Sequence, residues 1–177
     1  MDNKTDMWIE IDKLSEDTNN PRTIFSAKHI EGLAKSLAIE GFINPIEYDS
    51  DFIIITGHCR FRAARLLNWE KVPIRINASE YSDYERLRHQ MAENVHQSGA
   101  SMDSAMNPID VSKGYANLLS MKLGKDWVAT TQSTMGREEI YGHIKEVADE
   151  VGVDEGTVRD YLKLLTEPRA VREAIRD

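Results

Sequence analysis

The sequence predicts an α+β protein, with a small α/β domain over residues 1–100 and an all-helical domain carrying a helix-turn-helix over residues 101–177. Three observations carry that expectation. Short β-branched runs interleave with helical apolar spacing as far as Val95, the pattern of layered α/β packing. The stretch from Ser98 to Asn107 then turns to Ser, Gly, Ala, Met and Asn, as a hinge between domains does. Beyond it helical patterns dominate, and His143–Leu164 has the spacing of two short helices crossing tightly.

Each element has a local reason. Trp8–Leu14 alternates apolar and polar residues, as a half-buried strand does, and Asn19-Asn20-Pro21-Arg22 reads as a turn. Ser26 can cap a helix whose apolar face is Ile30, Leu33, Ala34 and Leu37, with Gly41 as its end. Ile43–Tyr48 and Phe52–Thr56 are strand-like runs around Asp49-Ser50-Asp51. Gly57 breaks the second run, Cys59–Leu67 follows as a helix, and Val72–Ile76 is a further strand. Ser82-Asp83-Tyr84-Glu85 has capping-box spacing ahead of Tyr84, Leu87, Met91 and Val95. Asn107-Pro108 opens a helix running through Tyr115, Leu118 and Leu119 towards Gly124. Lys125–Gly136 is a polar connector, and Glu138–Val151, Glu155–Leu165 and Pro168–Ile175 complete the helical half.

Within His143–Leu164, Ala148 supplies the small residue where two helices touch, and Gly152 the turn residue that tolerates positive φ. Val158 locks the second helix onto the first, and Asp154 is placed to cap it. A second helix of this kind enters the major groove, which makes Glu155, Thr157, Arg159 and Lys163 the candidate DNA-facing residues. Arg159 is the foremost of them, because its planar fork can pair with guanine. The same pattern also suits a plain helical bundle or a protein-binding unit, and the acidic start of the second helix favours that alternative.

Composition narrows the function classes. No apolar run approaches the length of a membrane span, and the N-terminus MDNKTDMWIEIDKL lacks the form of a secretory signal. The single cysteine, Cys59, rules out an internal disulfide framework and fits a cytoplasmic setting. The net charge is −8, divided as −4 on residues 1–100 and −4 on residues 101–177. Contact with phosphates must therefore come from a local basic patch on an acidic body.

Ile53–Leu67 offers such a patch. A strand, Gly57 and a helix start carrying Arg60 and Arg62 suit a phosphate, because amides at a helix N-terminus point outward with partial positive charge. Arginines in the first turn of a surface helix are also often simply solvated.

The ordered series of motifs resembles the ParB family. Gly57-His58-Cys59-Arg60-Phe61-Arg62-Ala63-Ala64 and the following Val72-Pro73-Ile74 are similar to its arginine box and Val-Pro strand. Asn20-Pro21-Arg22, Gly41-Phe42-Ile43-Asn44-Pro45-Ile46, Glu93-Asn94 and Asn107-Pro108-Ile109 resemble its other boxes, in the same order. The helix-turn-helix and Glu167-Pro168 through Val171 extend the likeness over nearly the whole chain.

The resemblance implies a pocket for CTP, or another nucleotide, with magnesium. Gly57, His58, Arg60, Arg62 and Ala63 would lie around the phosphates, Gly41, Asn44, Pro45 and Ile46 along the base side, and Glu93 and Asn94 at the metal. It also implies a homodimer that binds double-stranded DNA at a palindromic site, a clamp closed by nucleotide-driven pairing of the N-terminal domains and reopened by a weak CTPase activity, and a partition ATPase as a partner. The setting would be the nucleoid or a plasmid, in chromosome partition, plasmid segregation or transcription regulation. Departures are plain: His58 and Cys59 stand where the family usually has Glu and Arg, Gln97 replaces an Arg, and Asn44 replaces a common Gln.

Two alternatives stay open. Gly57-His58-Cys59-Arg60 is similar to the Gly-Cys-His-Arg box of sulfiredoxins, with Cys and His exchanged, and to the Gly-His-x-Arg of free-serine kinases, with Thr56 where those carry Asp. A small-molecule enzyme of the same fold is one alternative. A DNA- or protein-binding adaptor with a decayed nucleotide site is the other.

Overall fold

The computed structural model describes residues 7–76, 81–97, 105–127 and 137–176. The described residues fold into two compact units: 7–20, 25–76 and 81–82 belong to the first, and 21–24, 83–97, 105–127 and 137–176 to the second.

In the first unit, five strands form a mixed sheet in the order β1-β5-β3-β4-β2. They are β1 (Met7–Glu10), β2 (Ser15–Glu16), β3 (Ile46–Tyr48), β4 (Ile53–Thr56) and β5 (Lys71–Ile76). β1 pairs antiparallel with β5, and β5 runs parallel to β3. β3 pairs antiparallel with β4, which runs parallel to β2. Helix α1 (Ala27–Glu40) starts at Ser26, whose hydroxyl accepts the His29 N–H, and ends at Gly41. Helix α2 (His58–Leu66) packs against it, with Ala63 set between Ala34 and Leu37. Ile46, Ile54, Val72, Ile74, Phe61 and Ala64 form the core beneath.

Two expected strands are shorter than their apolar runs. The run expected from Trp8 to Leu14 leaves the sheet after Glu10, because Ile11–Lys13 forms a 3-10 turn. That turn brings residues three apart onto one side and buries Ile11 and Leu14 together, which strict alternation cannot do. The run expected from Ile43 begins at Ile46, since Pro45 has no N–H to give a ladder and Ile43 points to solvent, 77% exposed.

The second unit is helical: α3 (Asp83–Gln97), α4 (Pro108–Leu123), α5 (Arg137–Val151), α6 (Glu155–Leu164) and α7 (Arg169–Arg176). The junction expected at residues 100–101 falls differently here, because α3 sends Leu87 and Met91 into the helical core. Gly114 makes that possible, since a Cβ there would lie 2.2 Å from the Met91 sulfur. Asn107 caps α4 by accepting the Ile109 N–H, with Pro108 at the first helical position.

Asp110, fully buried in the first turn of α4, accepts the Thr23 N–H at 2.8 Å and the Thr23 hydroxyl at 2.8–2.9 Å. A carboxylate is favoured at a helix start, and these donors offset its loss of water. This clasp is why residues 21–24 belong to the helical unit. On the connector Lys125–Gly136, Trp127 is buried in the same core, and the part from residue 128 lies outside the described residues, as do residues 98–104 of the expected hinge.

Among the described residues no helix is long and apolar enough to cross a membrane.

Candidate nucleotide pocket and DNA-facing helix

The glycine turn forms as its residues dictate. β4 ends at Thr56, and Gly57 follows with φ 98° and ψ 19°, a left-handed conformation that turns the chain into α2. Gly57 brings no side chain to cap the helix start, and the first turn of a helix begun in this way presents its N-terminal, partially positive end. Glu47 of β3 pairs with Thr56, so the start of β3 and the glycine turn share one end of the sheet.

There Arg60 folds back over the turn. One guanidinium nitrogen, Nη1, donates to the carbonyls of Asn44 and Pro45 at 2.7 and 2.6 Å. A Cβ on Gly57 would sit 3.3 Å from the Arg60 guanidinium carbon and 3.4 Å from Ile46 Cγ1. The structure thus brings Asn44, Pro45, Ile46, Gly57 and Arg60 to one place. Gly41 and Ile43 belong to the same connection from α1 into β3.

The other members of that set differ in what their side chains can do. His58 is buried, and Ala63 is fully buried on the α1 side of α2. Cys59 is half-buried. Arg62 lies 3.6 Å over the Phe25 ring and holds Glu16 in a two-point fork, Nε to Oε1 at 2.7 Å and Nη2 to Oε2 at 3.1 Å. Sequence reasoning missed Glu16 and Phe25, for no spacing links β2, the loop before α1, and α2. A depression of about 480 Å³ at the opposite end of α2 is lined by Glu10, Asp12 and Glu70 together with Arg65 and Lys71, a mixed set with no preference for an anion.

Glu93 and Asn94 lie on α3, in the second unit, both half-buried. The Asn94 amide donates to the Gln90 carbonyl one turn back at 2.7 Å. Gln97 is the last residue of α3, and its side chain lies outside the described residues. No three His, Cys, Asp or Glu side chains cluster to hold a metal ion among the described residues, so Glu93 and Asn94 could hold magnesium only together with other donors, such as phosphate oxygens.

The helix-turn-helix takes the expected form. Ala148, Val151, Val158 and Leu162 are buried, and Gly152 turns the chain at φ 83° with its N–H on the Ala148 carbonyl. Asp154 caps α6 by accepting the Gly156 N–H at 2.7 Å, and the same carboxylate oxygen lies 2.7 Å from where a Cβ on residue 156 would be. A larger residue there would make the capping carboxylate shift.

On α6, Thr157 and Lys163 are exposed and Glu155 and Arg159 half-exposed, so all four candidate DNA-facing side chains can be reached. Both cations are engaged. Arg159 pairs with Glu155 at 3.0 Å and lies over the Tyr141 ring, and Lys163 pairs with Asp160 at 2.7 Å, an interaction that holds the Asp160 carboxyl below its usual range. Exposed pairs of this kind are weak and part readily for a phosphate or a base edge.

Comparison with known proteins places this geometry. Residues 2–95 match the family model of the ParB N-terminal domain. The nucleoid occlusion protein of Bacillus licheniformis is 31% identical over 160 residues, covering 88% of this chain and 47% of that protein. That of Bacillus subtilis is 28% identical over 172 residues, covering 94% of this chain and 52% of that protein. The chain therefore spans about half the length of these curated relatives. Among solved structures, the C-terminally truncated chromosome-partitioning protein ParB from Caulobacter crescentus, complexed to the centromeric parS site, superposes with a TM-score of 0.58 at 22% identity, covering 94% of this chain and 75% of that one. A pNOB8-like ParB N-domain gives 0.62 at 18% identity, covering 98% and 69%. At these identities the structures establish a shared fold.

Proposed function

Because the chain belongs to the ParB family, we propose that it is a nucleotide-switched DNA-binding protein acting in partition or nucleoid occlusion. Its α/β unit takes CTP, or a related nucleotide, with magnesium, and its helix-turn-helix reads a palindromic duplex as one half of a homodimer. It acts in the cytoplasm on the nucleoid or a plasmid, and a partition ATPase is a candidate partner.

One observation carries the nucleotide reading: the uncapped start of α2 behind left-handed Gly57, with Arg60 lying across the Asn44–Pro45 backbone. A phosphate approaching this turn meets a helix N-terminus and a guanidinium whose Nη1 donates to the neutral carbonyls of Asn44 and Pro45. A left-handed glycine whose Cβ would press on Arg60 is a cradle that fits a close anion. Glu93 and Asn94, the metal candidates that the family resemblance gives, carry oxygens of the hard kind that magnesium takes. The relatives' name, nucleoid occlusion protein, supports the DNA role, and the exposed face of α6 gives it a surface. Arg159 is the residue suited to guanine once it leaves Glu155.

Calorimetric titration with CTP, ATP and GTP in magnesium tests the reading. CTP-selective binding, lost in Arg60→Ala, supports it. Turnover of ATP without DNA would favour the small-molecule enzyme, and no binding of any nucleotide would favour the adaptor. DNA contact is tested by selecting duplexes from a random pool and repeating the binding with Arg159→Ala, which should lower affinity.

A further inference from the structure

The acidic partner of Arg62 stands out. Glu16 ends the edge strand β2 and reaches Arg62 across the unit, 46 residues away in sequence. Its two oxygens fill the Nε–Nη2 edge of the guanidinium, and Phe25 covers one face. That edge is also one a phosphate grips with two parallel hydrogen bonds. The pair is not sealed off: the Arg62 and Glu16 side chains are 39% and 34% exposed, so an incoming anion can reach both.

Resting on the nucleotide reading above, we infer that Glu16 is an internal competitor for the phosphate site, holding Arg62 until a highly charged ligand displaces it. The carboxylate takes the place of one phosphate oxygen pair while the pocket is empty and returns when the ligand leaves. Two consequences follow. Affinity is lower than the arginines alone would give, by about fivefold for an exposed pair of this kind. Discrimination by phosphate number is sharper, because a triphosphate repels Glu16 and attracts Arg62 more strongly than a diphosphate does.

A carboxylate that merely positioned Arg62 would predict the reverse, since removing it would loosen the guanidinium and weaken binding. Net charge alone would make any nearby acid equivalent to Glu16. Asp12 is the control: it pairs with Arg65 on the same helix at 3.1 Å and is 85% exposed.

The experiment titrates the full chain calorimetrically with CTP and CDP in magnesium and with inorganic tripolyphosphate, comparing Glu16→Gln, Glu16→Ala, Asp12→Asn and Glu16→Gln/Arg62→Ala. Thermal melting confirms that each variant is folded. The inference expects Glu16→Gln and Glu16→Ala to bind CTP and tripolyphosphate about fivefold more tightly. CDP should gain less, Asp12→Asn should change little, and the gain should vanish with Arg62→Ala. Unchanged or weaker binding in both Glu16 variants while wild type binds CTP overturns the inference and leaves the nucleotide reading standing. An equal gain in Asp12→Asn also overturns it. No binding of any ligand by wild type or by either Glu16 variant overturns both.

Discussion

Gly57→Ala is the substitution that most directly couples fold and site. Alanine at φ 98° sits in left-handed backbone at roughly 1–2 kcal/mol. Its Cβ would be 3.3 Å from the Arg60 guanidinium and 3.4 Å from Ile46 Cγ1. Ile46 is fully buried and cannot give way, so Arg60 must. Moving it sacrifices the bonds to Asn44 and Pro45; on a half-exposed side chain these contribute roughly 1 kcal/mol together, below the value for buried charged bonds. The sum is roughly 2–3 kcal/mol of stability in the first unit. Gly32→Ala is the matched comparison: it lies in α1 with nothing within 4 Å of the added carbon and should stabilise by about 0.5–1 kcal/mol. Urea denaturation followed by circular dichroism reads both changes, and calorimetry reads CTP affinity, expected to fall more than tenfold in Gly57→Ala. A stability loss below about 0.5 kcal/mol, with CTP binding unchanged, would refute the strained-turn account.

Three further outcomes follow from the helical unit. Gly114→Ala should destabilise by roughly 1–3 kcal/mol in urea melts, since its Cβ would collide with the Met91 sulfur at 2.2 Å, and adding Met91→Ala should recover part of the loss. Tyr115→Phe should be neutral or stabilising, because the fully buried Tyr115 hydroxyl has no hydrogen-bond partner among the described residues, and burial, then Tyr161, pushes its pKa up to about 12. The third concerns the α3–α4–α5 cluster of Tyr84, Lys122, Glu146 and Glu150. Burial alone would raise Glu150, yet bonds from Lys122 and Tyr84 hold it below the usual carboxylate range, and the Lys122 bond does the same for Glu146. Folded values below the unfolded ones mean stability that is present above about pH 4–5 and lost as pH falls through the folded values. Urea midpoints measured from pH 7 to pH 3 should drop across that window, and Lys122→Met should flatten the drop.

Local chemistry made much of this fold readable. Ser26, Asn107 and Asp154 each cap the helix their side-chain oxygens suit, and Ala148, Gly152 and Val158 sit where a tight helix crossing needs them. Register within the sheet was less legible, because the Trp8–Leu14 alternation gives no sign that Ile11 and Leu14 share a 3-10 turn. The place of α3 was hidden for a different reason. Its apolar face, Leu87 and Met91, suits any core, and only the missing side chain at Gly114 selects α4. Of the candidate pocket, the glycine turn was legible in the residues themselves, whereas Asn44 and Pro45 entered only through the family resemblance, and the Arg60 bonds to their carbonyls left no trace in the sequence. Nor could the Glu16–Arg62 fork be anticipated, since a pairing between an edge strand and a helix leaves no periodic trace in either.

Amide hydrogen exchange of the full chain with and without CTP and magnesium bears most directly on the central claim. The account predicts slower exchange at residues 57–62 when nucleotide is present, and no such change in Arg60→Ala. Nucleotide binding that leaves the amides of residues 57–62 unprotected would contradict it.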